Sequence, residues 1–162
     1  MRNKIIILTV ALLFIPLCLY AWEGKVVSVT DGDTIVVLDT GNAQHKIRLT
    51  GIDAPERGQA LGTKSKEYLS DSVAGKFVVM EYDKRDRYKR ILGKVLLSDQ
   101  DMNLEQVKAG FAWHYKKYQN EQSPSDRELY SQAEIEAREA KRGLWYDPEP
   151  VAPWEYRQIK RK

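Results

Sequence analysis

This 162-residue chain contains only one cysteine and two histidines. A single thiol cannot form a disulfide framework or a thiolate metal cage, and two histidines cannot supply a His-rich zinc site. Internal repeats are also absent, which excludes a solenoid. A hydrophobic share of 43% and a charged share of 30% are instead typical of one globular domain with its own core.

The first 21 residues differ in character from the rest of the chain. A short basic start is followed by an uncharged apolar run from Ile5 to Tyr20, and the small residue Ala21 closes the run. This order predicts a secretory signal peptide over residues 1–21 and therefore an exported protein, either secreted or periplasmic. The alternative is an uncleaved membrane anchor over residues 5–21, although Pro16 interrupts a run that is already short for a bilayer.

Cleavage after Ala21 would change both the charge and the thiol content. It removes Arg2 and Lys4 and no acid, so 26 basic residues fall to 24 against 23 acidic ones, a net charge of +1. It also removes Cys18, where lipid attachment is a third alternative that the large preceding Leu17 disfavours. Because the net charge is then close to zero, nucleic-acid binding would depend on where the charges lie.

Strand signals dominate the first two thirds of the exported part. Apolar and β-branched runs bounded by turn signals predict five strands: Lys25–Val29, Thr34–Leu38, Gln44–Leu49, Lys76–Tyr82 and Ile91–Leu97. On the third strand, Ile47 and Leu49 are expected on one face and Lys46 and Arg48 on the other.

Helix signals follow the third and fifth strands. They predict a helix over Thr63–Val73, a short helix that a capping box of Asn103 and Gln106 opens, and a long helix that Ser125 and Glu128 open. We therefore expect a mainly β protein with helices (α+β), a five-stranded OB-fold barrel with about three packed α-helices over residues 22–146. Residues 147–162, with three prolines and a basic end, are expected to form a loosely ordered tail.

Two pairs of carboxylates lie at the ends of predicted strands. Asp31 and Asp33 occupy the turn between the first two strands, and Asp53 and Glu56 follow the third. Such oxygen ligands suit Ca²⁺ or Mg²⁺ better than zinc or copper. Each pair is equally typical of ordinary turn chemistry, so the spacing alone leaves both interpretations open.

Two arginines are candidates for binding phosphate, because a guanidinium donates two parallel hydrogen bonds and keeps its charge. Arg48 lies on the polar face of the strand that enters the Asp53 loop, and Arg90 begins the fifth strand. An ion pair of Arg48 with Asp33 or Asp53 at the barrel rim is the alternative to a catalytic role. For the charged run before Arg90 the alternative is a solvated hairpin loop.

The order of four motifs along the chain resembles the staphylococcal nuclease (thermonuclease) family. They are V-T-D-G-D-T at 29–34, R-L-T-G-I-D-A-P-E at 48–56, D-R-Y-K-R at 86–90 and R-G-L-W at 142–145. Four dispersed motifs in one order are far more specific than any one of them. The resemblance implies a Ca²⁺-dependent phosphodiesterase that hydrolyses DNA and RNA, prefers single-stranded or frayed substrate and leaves 3′-phosphate and 5′-hydroxyl ends.

The resemblance also implies roles for individual residues. Asp33, Asp53 and the backbone carbonyl of Ala54 match the calcium ligands, and Asp31 matches an outer-shell acid. Arg48 and Arg90 match the catalytic arginines, and Glu56 matches the glutamate that handles the attacking water. The expected substrate-binding residues are Arg87, Tyr88, Tyr115 and Tyr118. We expect a monomer that needs no protein partner and contacts a membrane only if residues 5–21 are retained.

Two departures from the family pattern bear on this expectation. Ala54 replaces a threonine of the best-known members, and Lys89 stands where a glycine precedes the catalytic arginine. Two other classes of function stay open: a noncatalytic nucleic-acid or protein binding module on the same barrel, and a calcium-stabilised exported domain with an unrelated partner. The retention of Asp33, Asp53, Glu56, Arg48 and Arg90 favours the enzyme.

Overall fold

The structure is a computed structural model that describes residues 20–161. The predicted leader, residues 1–21, lies outside the described residues except for Tyr20 and Ala21, which begin the first strand. Within residues 20–161, no helix combines the length and apolar character needed to cross a membrane.

Within residues 20–161, five long strands close into a barrel. One two-residue strand extends this sheet, and two others pair with each other in a separate small sheet. In chain order the strands are β1 Tyr20–Asp31, β2 Thr34–Leu38, β3 Gln44–Leu49, β4 Ile52–Asp53, β5 Phe77–Arg85, β6 Ile91–Leu97, β7 Gln100–Asp101 and β8 Trp113–His114. The long strands follow the order β3-β2-β1-β5-β6, and a parallel pairing of β3 with β6 closes the barrel. The predicted five-stranded barrel is therefore confirmed.

The alternation of residues along β2 and β3 places the core inside this barrel. Ile35, Val37, Ile47 and Leu49 are completely buried, whereas Arg48 points to the opposite face and is only partly covered. Successive side chains of a strand point to opposite faces, so the apolar pattern that fills the core also presents Arg48 at the barrel rim.

Residues 20–161 also form four α-helices and two short 3-10 turns. The α-helices are α1 Gly62–Val73, α2 Met102–Lys108, α3 Pro124–Glu139 and α4 Pro153–Ile159. The first three lie where the sequence predicted them, but neither predicted capping box is correct. The N-cap of α2 is Asp101, which accepts the backbone N–H groups of Asn103 and Leu104, and the N-cap of α3 is Ser123.

The two residues expected to cap α2 are instead buried clamps between segments of the fold. Asn103 donates to the carbonyl oxygens of Thr50 (3.0 Å) and Gly93 (3.1 Å). Gln106 donates to the carbonyl oxygens of Gly32 and of Ser65. Both side chains are completely buried, so these hydrogen bonds join two loops, β6 and α1 to α2 in an environment without water, where they are strong.

The expectation of a loosely ordered tail is wrong for residues 153–159, which form α4. Pro153 supplies a preset φ at the helix start, and Trp154 packs edge-on against Trp113 with ring centroids 5.4 Å apart. Tyr156 donates its hydroxyl hydrogen to the carbonyl oxygen of Gly58 (2.9 Å). Burial of the tryptophan offsets the entropy cost of ordering this segment.

The R-G-L-W motif has a packing role in the same region. Leu144 donates its backbone N–H to the carbonyl oxygen of Gly110 (2.8 Å). Trp145 lies edge-on to Trp113 at 4.4 Å, and the guanidinium of Arg138 covers the Trp145 ring at 3.8 Å. The motif therefore builds the small aromatic cluster against which α4 docks.

Candidate active site

A single open cleft of about 980 Å³ crosses the barrel rim, and all eleven residues that the sequence singled out line it. The Asp31 turn, the Asp53 loop, the β5–β6 hairpin and the segment after β8 each contribute to its wall. Residues separated by up to 87 positions, from Asp31 to Tyr118, are thus brought to one surface. This convergence indicates that the first three motifs are parts of one site.

Arg48 joins the two carboxylates that were predicted to bind metal. Its Nη2 atom lies 2.9 Å from Oδ2 of Asp33 and 3.0 Å from Oδ1 of Asp53. Its Nη1 atom donates to the carbonyl oxygens of Leu49 and Ile52. The guanidinium is therefore held in one orientation by four acceptors, and the two carboxylates converge on a single point.

Hydrogen bonds with backbone groups of segments distant in sequence position these two carboxylates. Asp53 belongs to β4, which pairs with β8 through Asp53 and Trp113. Oδ2 of Asp33 accepts the backbone N–H of Ala54 at 2.8 Å, which ties the Asp33 turn directly to the Asp53 loop. A two-residue strand is too short to show a run of β-branched residues, so the pairing of β4 with β8 could not be predicted from the sequence.

Burial has the largest effect on the pKa values of Asp31 and Asp53. Burial, followed by the neighbouring Asp33 carboxylate, raises the pKa of Asp31 to about 7. Burial also raises the pKa of Asp53, although hydrogen bonding to Arg157 and the charge of Arg48 oppose the increase. Burial therefore disfavours the charged forms of Asp31 and Asp53, and a bound cation would favour them.

The donor set fits a hard cation. Asp33 and Asp53 offer carboxylate oxygens that converge on one point, and the backbone carbonyl of Ala54 follows directly in the chain. Among residues 20–161, no group of three or more His, Cys, Asp or Glu side chains is arranged to hold a metal ion. Two carboxylates, a carbonyl and water or substrate oxygens form the mixed oxygen shell that suits Ca²⁺.

Glu56 lies beside these carboxylates and is more accessible, with 40% of its side chain exposed. Its backbone N–H donates to Oε1 of Gln59 at 2.9 Å, and Gln59 in turn donates to the carbonyl oxygen of Val151 at 2.7 Å. The segment before α4 thus braces the loop that carries Glu56.

Arg157 of α4 is a site residue that the sequence analysis missed. Its Nη2 lies 2.7 Å from Oδ2 of Asp53, and its Nη1 lies 2.5 Å from Oε1 of Glu56. The signal that could have found it is Pro153 followed by Glu155, a proline at the first helical position with an acid in the first turn. Predicting the contact itself would have required knowing where α4 docks.

Arg90 enters the cleft from the β5–β6 hairpin, where Asp86 orients it. Asp86 accepts the backbone N–H and the Nε–H of Arg90, at 2.9 and 2.8 Å. Burial alone would raise the pKa of Asp86, but these bonds from Arg90 outweigh it and lower that pKa. Asp86 is therefore a positioning residue that the sequence analysis did not single out.

Lys89 occupies a backbone conformation that favours glycine. Its φ is +63°, a left-handed geometry that costs a residue with a Cβ about 1–2 kcal/mol. The loop thus retains the glycine conformation although the glycine is absent.

We expect Lys89→Gly to raise the free energy of unfolding by about 1 kcal/mol, measured by urea denaturation. Lys89→Ala keeps the Cβ and should give no gain; a similar gain from alanine would contradict the explanation.

Asp33, Asp53 and Glu56 form the acidic centre of the cleft. Aromatic residues line the walls of the cleft on both sides of it. Tyr88 is 63% exposed on the hairpin, and its hydroxyl accepts a hydrogen bond from Arg87 (2.7 Å). On the opposite wall Tyr118 is 46% exposed and lies edge-on to Tyr115. One face of Tyr115 is covered by Trp154, which stacks on it at 5.3 Å. Tyr88 and Tyr118 therefore offer the more accessible ring surfaces.

Comparisons with known proteins agree with these motifs. The family described as "Staphylococcal nuclease homologue" matches residues 46–147. A protein of Haemophilus influenzae named "Uncharacterized endonuclease" is 40% identical over 160 residues, covering 97% of this chain and 86% of that protein. An Escherichia coli protein of the same name is 44% identical (91% and 98% covered). A Shigella flexneri protein named "Micrococcal nuclease" is 37% identical (85% and 83% covered).

Proposed function

This chain belongs to the staphylococcal nuclease family and is a nuclease that hydrolyses phosphodiester bonds of nucleic acids, and we propose that it requires Ca²⁺. The observation that carries the proposal is the convergence of Asp33 and Asp53 on Nη2 of Arg48. Two hard oxygen ligands thus lie within 3.0 Å of the same guanidinium nitrogen. That combination suits a divalent cation next to a phosphate.

The proposed roles follow from the charge that develops during phosphodiester cleavage. In-line attack places negative charge on the equatorial oxygens of the phosphorus, and fixed cations aimed there stabilise the transition state. Bound Ca²⁺, held by Asp33, Asp53 and the carbonyl of Ala54, would supply Lewis-acid stabilisation. Arg48 and Arg90 would donate to the same phosphate.

Glu56 is the residue placed to handle the attacking water. It is the most exposed carboxylate in direct contact with the acidic centre, so water reaches it while Asp33 and Asp53 stay buried. We assign it the orientation of the water and acceptance of its proton as attack proceeds, which leaves a 3′-phosphate and a 5′-hydroxyl.

The proposed substrate is single-stranded or frayed DNA and RNA. Exposed rings on both walls suit unpaired bases, because stacking on an aromatic ring accepts any base and contributes about 1–3 kcal/mol per base. Arg87 and Tyr88 line the cleft beside Arg90, and Tyr115 and Tyr118 line its opposite wall. We assign the first two to a terminal phosphate and the last two to bases. We propose that the protein acts as an exported monomer, released by cleavage after Ala21.

The proposal is tested by cleavage of heat-denatured DNA and, separately, RNA, followed as acid-soluble product in Ca²⁺, in Mg²⁺ and in EGTA. We expect cleavage of both in Ca²⁺, much slower cleavage in Mg²⁺, which demands near-ideal octahedral coordination, and none in EGTA. Glu56→Gln should lower the rate by at least about a hundredfold. Glu67→Gln, the same change at an exposed position of α1, is the matched control and should cleave normally.

Two results would contradict parts of this proposal. Equal rates in Ca²⁺ and Mg²⁺ would show that the site does not select the larger cation. Binding of DNA without cleavage under any condition would favour a noncatalytic binding module instead. The 5′ and 3′ ends of the products, determined by labelling with and without phosphatase treatment, decide the polarity of the cut.

A further inference from the structure

Arg157 lies in the acidic centre, although α4 begins six residues after the part of the chain that matches the family. Its guanidinium contacts both oxygens of Asp53, at 3.3 and 2.7 Å, and Oε1 of Glu56. These contacts raise the pKa of Arg157 against the opposing effect of burial. The bidentate geometry is the one that guanidinium groups adopt with carboxylates and with phosphates.

This contact competes with any cation that binds through Asp53. The Arg157 guanidinium donates to both oxygens of that carboxylate, and Arg48 also lies against Oδ1. A divalent cation that binds Asp53 therefore competes with Arg157 for these oxygens. The side chain of Arg157 is 35% exposed, so it can move within the cleft without unfolding α4.

The balance of charge indicates where the displaced guanidinium goes. Asp33, Asp53 and Glu56 carry three negative charges, and Arg48 and Arg157 carry two positive ones. A divalent cation turns this net charge of minus one into plus one, and one bound phosphodiester then neutralises it. Without Arg157, the same loaded site would carry no net charge before the substrate binds, so it would attract an anionic substrate less strongly.

We propose that Arg157 is a third phosphate-binding arginine, which shields Asp53 and Glu56 in the free protein and transfers to the substrate phosphate when cation and nucleic acid bind. This inference rests on the proposed Ca²⁺ site. The anchoring of α4 by Trp154 and Tyr156 keeps the guanidinium within reach of both partners. Arg157 would thereby couple the binding of the cation to the binding of the substrate.

The test uses the full chain with Arg157→Gln, which removes the charge, and Arg157→Lys, which keeps it but lacks the planar fork. Lys160→Gln makes the same change of charge at an exposed position on the end of α4 and is the matched control. Calorimetry measures the affinity for Ca²⁺ without nucleic acid. A second titration in Ca²⁺ measures the affinity for deoxyadenosine 3′,5′-bisphosphate, which carries phosphates but has no phosphodiester to cleave.

We expect Arg157→Gln to bind Ca²⁺ about tenfold more tightly and the bisphosphate about tenfold more weakly than the wild type. Arg157→Lys should show both effects to a smaller extent, and Lys160→Gln neither. The difference in melting temperature between Arg157→Gln and the wild type supplies a further readout. A merely structural role would give the same difference in EGTA and in Ca²⁺, whereas we expect Arg157→Gln to be destabilised in EGTA and saturating Ca²⁺ to narrow the difference.

Each other outcome overturns the inference. Unchanged or weaker Ca²⁺ binding by Arg157→Gln would show that the residue does not compete with the cation. Tighter Ca²⁺ binding with unchanged bisphosphate affinity would make Arg157 an inhibitory contact and not a phosphate ligand. Because both titrations are independent of cleavage, a wild-type protein that binds Ca²⁺ but does not cleave would contradict the proposed calcium-dependent cleavage and leave this test decisive.

Discussion

Arg48→Ala is expected to lower kcat/KM for single-stranded DNA by about three to five orders of magnitude. Arg48 is the only group that touches both Asp33 and Asp53 among the ion pairs of residues 20–161. Its loss removes a donor to the developing negative charge and frees two buried carboxylates to repel each other. Asp33 would lose its ion pair with Arg48 and Asp53 would keep only Arg157, which should also lower the free energy of unfolding by about 3 kcal/mol.

Arg90→Ala separates the catalytic loss from the structural one. Arg90 contacts Asp86 within a partly exposed hairpin, so its removal leaves no deeply buried charge. We expect about a thousandfold loss in kcat/KM with little change in stability. Rates in Ca²⁺ and urea denaturation of each variant measure the two effects. Arg57→Ala, at an exposed position, is the control and should cleave normally. Near-wild-type cleavage by Arg48→Ala or by Arg90→Ala would show that the substituted arginine has no part in the mechanism.

Gly32→Ala is expected to lower the free energy of unfolding by about 3 kcal/mol and to abolish tight Ca²⁺ binding. A Cβ at this position would lie 1.8 Å from Oγ of Ser65 and 2.8 Å from Cβ of Ala54. The clash involves α1 and the Asp53 loop, so relief requires the turn between Asp31 and Asp33 to move outward. That movement would separate Asp33 from Arg48.

Two variants test this explanation. Gly41→Ala is the matched control, because a Cβ in that hairpin turn would meet only Oδ1 of Asp39 at 3.3 Å, and its stability should change little. Ser65→Gly removes the nearest obstacle, so adding it to Gly32→Ala should recover part of the lost stability in a double-mutant cycle. Calorimetry of Ca²⁺ binding and thermal unfolding report the two properties. A stable Gly32→Ala variant with normal calcium affinity would refute the account.

The strands could be predicted because their signals are local. Three of the five, Thr34–Leu38, Gln44–Leu49 and Ile91–Leu97, have the predicted bounds, since period-two alternation and turn residues act within a few positions. The predicted capping boxes failed for a related reason. Asn103 has the right residue type for a cap, but the fold uses its amide to bridge Thr50 and Gly93. The choice between a cap and a clamp depends on distant chain segments that local pattern does not encode.

The sequence by itself determined the barrel, its inner face and the identity of the acids and arginines at its rim, because alternation and motif order are properties of neighbouring residues. Only the tertiary structure decided which of these charges meet. The pairing of β4 with β8 places Asp53, and the docking of Trp154 on Trp113 carries Arg157 to Asp53 across 104 positions. Such contacts arise from packing between elements distant in sequence, and a carboxylate pairs with whichever guanidinium the completed fold brings within hydrogen-bonding distance.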